Sequence, residues 1–176
     1  APMNPHTVFS NPDERKVLME KFMAHATPAN IMSDMRACLD FLAAQPDVKQ
    51  GGIGTTGYCM GGLMSLTAAG TYTDQVVAAA SFHGGRLATD APDSPHRLAS
   101  KMKARVYVAG AVEDASFPDE MKARLDDALT SGGVNHTIET YPAKHGWVFH
   151  DIPVFDRAAS ERHWQAMLTL FASTLE

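Results

Sequence analysis

One six-residue segment, Gly57-Tyr58-Cys59-Met60-Gly61-Gly62, constrains this chain more than any other. Before it lies a short glycine-rich stretch, residues 52–57, which reads as a strand. After it, residues 60–70 are rich in Gly, Ala, Met and Leu and apolar nearly all round, which reads as a buried, closely packed helix. The segment has the form G-x-S-x-G with cysteine in the serine place, the strand–turn–helix that lifts a nucleophile above the end of a sheet. Glycines two residues to either side of Cys59 remove Cβ atoms that would collide in so tight a turn. The cysteine would stand at a helix N-terminus, where the dipole favours an anion, and a thiol there is drawn toward thiolate. The next backbone N–H, that of Met60, would point where an oxyanion forms. The bland alternative is an apolar buried cysteine in a glycine-rich turn; the flanking strand and helix favour the reactive reading.

The remaining pattern alternates strands with helices. Residues 76–82 and 105–110 are apolar runs that read as strands, and residues 136–141 alternate with period two. Asn11-Pro12-Asp13-Glu14 is a helix start, with a helix expected to about His25, and Thr27-Pro28 restarts it. Ile31, Met35, Leu39 and Leu42 follow at helical spacing with Cys38 beside them, which places Cys38 in a core, and Gln45-Pro46 closes the element. Pro118 to Thr130 and Arg157 to Thr174 complete the helices, the last with Trp164, Met167, Leu168 and Phe171 on its inner side. Residues 84–100 and 142–156 read as loops, as do the first dozen residues with Pro2, Pro5 and Pro12. The fold class is therefore α/β, a mostly parallel sheet flanked by helices.

Composition narrows the function classes. Of 176 residues, 45% are hydrophobic and 20% charged, which excludes a disordered or fibrous chain. The formal net charge of −5 argues against nucleic-acid binding through a basic face. No apolar run is long enough to span a bilayer, so no membrane partner is expected. Two cysteines do not make a disulfide framework, and a reducing cytoplasm is the expected setting. No metal or other cofactor is expected, because His6, His25, His83, His96, His136 and His163 have no ligand-like spacing.

A nucleophile needs a base and a group to orient it, each in a loop after a later strand. The strand at 105–110 runs into Glu113-Asp114, two competing acids, and the strand at 136–141 runs into Lys144-His145-Gly146. His150 lies too far past the strand to rival His145. His83 ends a strand, so it either borders the cleft or lies in a surface loop. Trp147 is either a pocket wall or a loop anchor. Tyr58, His83 and Trp147 are the candidate pocket residues.

Gly57-Tyr58-Cys59-Met60-Gly61-Gly62, Gly110-x-x-x-Asp114-x-x-x-Pro118 and Tyr141-Pro142-x-x-His145-Gly146 together resemble the dienelactone hydrolase family, over roughly residues 28–175. The resemblance implies an α/β-hydrolase fold, a small-molecule ester or lactone substrate, and a triad of Cys59, Asp114 and His145, which favours Asp114 over Glu113. Family members that cleave dienelactone carry an arginine shortly after the histidine; here Gly146-Trp147-Val148-Phe149-His150 follow it, which points away from that substrate. The resemblance also implies an upstream part with the first strands of the sheet, a second oxyanion donor and an acid touching the nucleophile. The chain opens Ala1-Pro2-Met3, and the expectation is a C-terminal piece of a parent of about 240–250 residues, with residues 1–27 a lid or entry region. Residues 1–176 would then be a partial domain whose nucleophile strand is left as an open edge. Two other readings use the same residues: a peroxide-reactive thiol protein, and an α/β module without activity.

Overall fold

The computed structural model describes residues 7, 8 and 10–175, so Pro2, Pro5 and His6 lie outside the described residues. The chain divides into two compact units, Ala1–Ala44 and Gln45–Glu176.

The first unit is helical. Helix α1, Pro12–Val17, starts where Asn11 Oδ1 accepts the N–H groups of Asp13 (3.0 Å) and Glu14 (3.3 Å), with Pro12 at the first helical position. The expected run to His25 is not one α-helix: a π turn, Leu18–Phe22, and a 3₁₀ turn, Met23–His25, replace its second half. Helix α2, Pro28–Ala43, is capped by Thr27 Oγ1 on Asn30 N–H (3.3 Å). Its buried residues are Met32 and Leu39. Cys38, expected in the core, is exposed: it stands one residue, and so about 100° of helix, away from Leu39.

The second unit holds four strands, β1 (Ile53–Tyr58), β2 (Val76–Phe82), β3 (Arg105–Ala111) and β4 (His136–Tyr141). They form one parallel sheet in the order β1-β2-β3-β4. Parallel strands need crossovers. Helix α3 (Met60–Thr71) joins β1 to β2 and helix α4 (Asp119–Ser131) joins β3 to β4. The β2–β3 connection, expected as loop, contains a 3₁₀ helix over Pro95–Lys101. Helix α5, Arg157–Ala172, closes the chain, with Asp156 Oδ1 accepting Ala159 N–H (2.9 Å) as its cap.

Strand alternation sorts the core into two layers. Ala78, Ala80, Phe82, Tyr107, Ala109, Ala111 and Tyr141 point to one face and pack with Ala159, Met167 and Leu170 of α5. Ser81, between them on β2, points to the other face and lies against Gly62 of α3. The inner side of α5 differs from expectation. Ala159, His163, Met167 and Leu170 are buried, whereas Trp164 is 49% and Leu168 59% exposed. Two polar anchors set this rotation: Arg162 pairs with Glu139 of β4 on one flank and lies 4.3 Å over the Tyr141 ring, and His163 bonds Tyr58 of β1. Among the described residues no helix is long and apolar enough to cross a membrane.

The ladders continue one residue beyond the strands. Cys59 N–H donates to Phe82 C=O (3.2 Å), His83 N–H to Ala109 C=O (2.8 Å) and Val112 N–H to Ala143 C=O (3.0 Å). The loops that leave β1, β2 and β3 are thus pinned to the carboxyl edge of the sheet, where ligands bind in open α/β folds.

Candidate active site

Cys59 is the hinge between β1 and α3, with φ 53° and ψ −120°, a backbone region that costs an L-residue free energy and is held by its surroundings. Gly57 makes this possible: a Cβ there would fall 1.9 Å from Gly61 O. Gly62 is needed too, since its Cβ would meet Ser81 Oγ at 2.3 Å and Gly84 Cα at 3.0 Å. Gly61, the second glycine of the motif, differs from expectation. Its Cβ would meet nothing within 4 Å among the described residues, so the crowding at that position comes from its carbonyl.

The thiol of Cys59 is exposed at the N-terminus of α3. Hydrogen bonding to the imidazole of His145 is the main cause that lowers its pKa; burial opposes it, and the Met60 N–H assists. The imidazole shifts the other way. The bond to Cys59 first, and then Asp114, raise His145 to about 9 against partial burial. Both shifts run in the direction that favours a thiolate paired with an imidazolium.

Asp114 follows β3 and is the acid that meets His145, with His145 Nδ1 donating to Asp114 Oδ2 at 2.8 Å. The Asp114 side chain is 5% exposed and that of His145 33%. Glu113 is exposed, with φ 53°. Burial raises the Asp114 pKa, but hydrogen bonds from Ser116 and His145 outweigh it and hold the carboxyl below its ordinary range. Ser116, which sequence reasoning missed, donates from N–H (2.9 Å) and Oγ (2.6 Å) to Asp114 Oδ1, leaving Oδ2 for the imidazole. The spacing Asp-x-Ser directly after a strand was the available signal, since such pairs form local side-chain turns.

The other sequence-derived residues lie close by, though not all as expected. His83 is neither a surface residue nor open to a cleft: it is fully buried, with its ring centroid 4.8 Å from that of His145. Trp147 is likewise fully buried, stacked on Tyr141 at 5.1 Å, and backs the site instead of lining an opening. His150 is exposed and lies against Phe155. Tyr58 is half-buried, and its hydroxyl bonds His163 Nε2 at 2.9 Å. His163 Nδ1 donates to Ser160 C=O at 2.6 Å, so Nε2 accepts from Tyr58 and the elbow is tied to α5. Nothing in the spacing of His163 marked it for this role.

The dienelactone hydrolase family profile matches residues 6–175. This chain belongs to the dienelactone hydrolase family. Among its relatives in that family is a Synechocystis protein whose name assigns it provisionally to the carboxymethylenebutenolidases, 31% identical over 160 residues. That match covers 89% of this chain and 64% of the relative, so the chain spans less than two thirds of that protein's length. Among solved structures, a Klebsiella pneumoniae protein titled provisionally as a dienelactone hydrolase superposes with a TM-score of 0.79 at 22% identity, over 93% of this chain and 71% of the other. A dienelactone hydrolase-like promiscuous phosphotriesterase from metagenomic libraries superposes with a TM-score of 0.71 at 26% identity, over 97% and 69%. Both place the four-stranded sheet and its helices within the α/β-hydrolase architecture of the family.

Both thiols are exposed, so burial does not distinguish Cys38 from Cys59. The neighbours of Cys59 do, because His145 and the Met60 N–H lower its thiol pKa. Brief iodoacetamide treatment of the native protein, read by peptide mapping, is expected to label Cys59 ahead of Cys38. The ratio should widen as pH falls from about 8 to about 6. Equal labelling of the two would contradict the lowered Cys59 thiol.

Proposed function

We propose that the protein hydrolyses carboxylic esters or lactones through a thioester formed on Cys59. The observation that carries this reading is the Cys59 thiol on a strained strand–helix elbow, its pKa lowered chiefly by His145, which is itself held by Asp114 at 2.8 Å. In the first half-reaction the thiolate attacks the carbonyl carbon, and the oxyanion forms near the Met60 N–H. As the intermediate collapses, His145 gives its Nε2 proton to the departing oxygen. In the second, neutral His145 takes a proton from water, the hydroxide adds to the thioester, and the acid product leaves as the thiolate is restored. Asp114 keeps Nδ1 protonated throughout, so Nε2 is the nitrogen that exchanges protons with substrate.

The leaving group decides the substrate class. A thiolate is a better leaving group than an amide nitrogen, so collapse of the tetrahedral species from an amide would return substrate, while esters and lactones proceed. Met60, Phe149 and Ile152, all exposed apolar residues, stand on the two segments that carry Cys59 and His145 and suit a substrate with an apolar acyl part. The test is to mix the protein with p-nitrophenyl acetate, quench early and map the peptides. A burst of p-nitrophenol with one acetyl group on Cys59 is the expected result. Turnover with no acyl group on any cysteine would overturn the covalent route.

A further inference from the structure

Four non-glycine residues among those described have positive φ: Cys59 (53°), His83 (40°), Arg86 (59°) and Glu113 (53°). All four stand in loops that leave the carboxyl ends of β1, β2 and β3. Cys59 is the elbow and Glu113 turns the chain into Asp114. His83 has no such duty, yet it bears two unfavourable features. Its backbone occupies a region that L side chains avoid. Its imidazole is fully buried, and among the described residues neither Nδ1 nor Nε2 makes a hydrogen bond. Phenylalanine would fill the space without orphaned nitrogens, and asparagine would relieve the backbone. An unsatisfied buried group beside reacting residues asks for a use that packing does not supply.

The neighbours indicate that use. The His83 ring lies 4.8 Å from His145, tilted by 56°, and Trp147 meets it edge-on at 4.9 Å. Phe149 (5.8 Å) and Tyr58 (5.9 Å) complete the enclosure. The titratable groups around it are Tyr58 on β1, Asp114 after β3, His145 after β4 and His163 on α5. Neither nitrogen is committed to another partner, so the ring can take whichever tautomer turns its lone pair toward positive charge on His145.

We propose that His83 is a positioning residue for the base: a neutral imidazole enclosed by Tyr58, Trp147 and Phe149 whose dipole steadies the His145 imidazolium in line between Asp114 and Cys59. Burial first, and then the charge of His145, push His83 down to about 4, so it does not add a second positive charge near neutral pH. The inference rests on the Cys59–His145–Asp114 reading above and goes beyond it by adding a group that touches neither substrate nor thiol.

The test has two parts and uses thiolate absorbance as well as turnover. In the unaltered protein, ¹⁵N-histidine NMR should find His83 neutral from about pH 5.5 to 9, with ring shifts that move in step with the titration of His145. His83→Phe should fold, raise the Cys59 thiol pKa by about half a unit or more, and lower kcat/KM about tenfold, mostly in kcat. His83→Asn, which tolerates the backbone and carries a neutral dipole, should recover part of both. Absence of any low-pKa thiolate in the unaltered protein would sink the reading of the site itself. A low-pKa thiolate that His83→Phe leaves unmoved would sink only the inference about His83. If His83→Phe fails to fold, the NMR titration decides: a His83 that protonates near its ordinary value, or whose shifts ignore His145, overturns the proposal.

Discussion

Cys59→Ala is expected to cut ester or lactone hydrolysis by about 10⁴–10⁶-fold, the range found when a nucleophile is removed from a triad that acts as a unit. The remaining groups do not compensate. The Met60 N–H still lies at the α3 N-terminus, but no atom is left to form the acyl intermediate. A second effect separates a working pair from a chance contact. The bond to Cys59 is the largest cause of the raised His145 pKa, so the alanine variant should titrate well below about 9, nearer the ordinary histidine value. The sign carries over to stability. A histidine raised in the folded state contributes stability that is complete below about pH 6.5 and is lost as pH rises through about 9. Cys59→Ala should flatten that alkaline loss in a thermal-melt series. An unchanged rate, or an unchanged His145 titration, would remove Cys59 from the chemistry.

Asp114→Asn is expected to lower kcat by about 10³–10⁴-fold while the fold stays intact. The reason lies in Ser116. Its N–H and Oγ both donate to Asp114 Oδ1, and in the variant they hold the amide oxygen at that place. The amide NH₂ must then face His145 Nδ1, which becomes an acceptor and moves the ring proton to Nε2, opposite the sulfur. A neutral imidazole protonated there cannot take the thiol proton, and the anion that favoured the imidazolium is gone. The alkaline limb of the rate profile, set by loss of the His145 proton near 9, should move to lower pH. Glu113→Gln, at an exposed side chain, should alter the rate less than about twofold. A reversal of the two effects would reassign the acid.

The sheet was legible because β2 and β3 are buried on both faces and read as nearly continuous apolar runs. The order Cys59, Asp114, His145 was legible because each follows a strand end, and topology places such loops together. Helix α5 was not. Its apolar residues spread over more than half a turn, and hydrophobicity favours Trp164 and Leu168 over Ala159 and His163. The face was chosen instead by two polar contacts, Arg162 with Glu139 and His163 with Tyr58, which no periodicity records. Cys38 failed for a similar reason, since one residue of helix turns a side chain from core to solvent. His83 was open from sequence because a strand end can lead outward or inward, and the rings that enclose it, Tyr58, His145, Trp147 and Phe149, come from distant parts of the chain.

The contrast between the two tryptophans gives the protein a pair of optical probes with different views. Trp147 is sealed beside the His83 ring at 4.9 Å, two residues from His145, while Trp164 is 49% exposed on α5. A dissolved quencher such as iodide reaches only Trp164, so the emission that survives it comes from the sealed indole. That residual light reports the charge of the His83 ring next to Trp147, since a protonated histidine quenches indole and a neutral one does so far less. The pH course of that light thus tests, in the native protein and with no label or substituted residue, whether His83 stays neutral through the range in which His145 titrates.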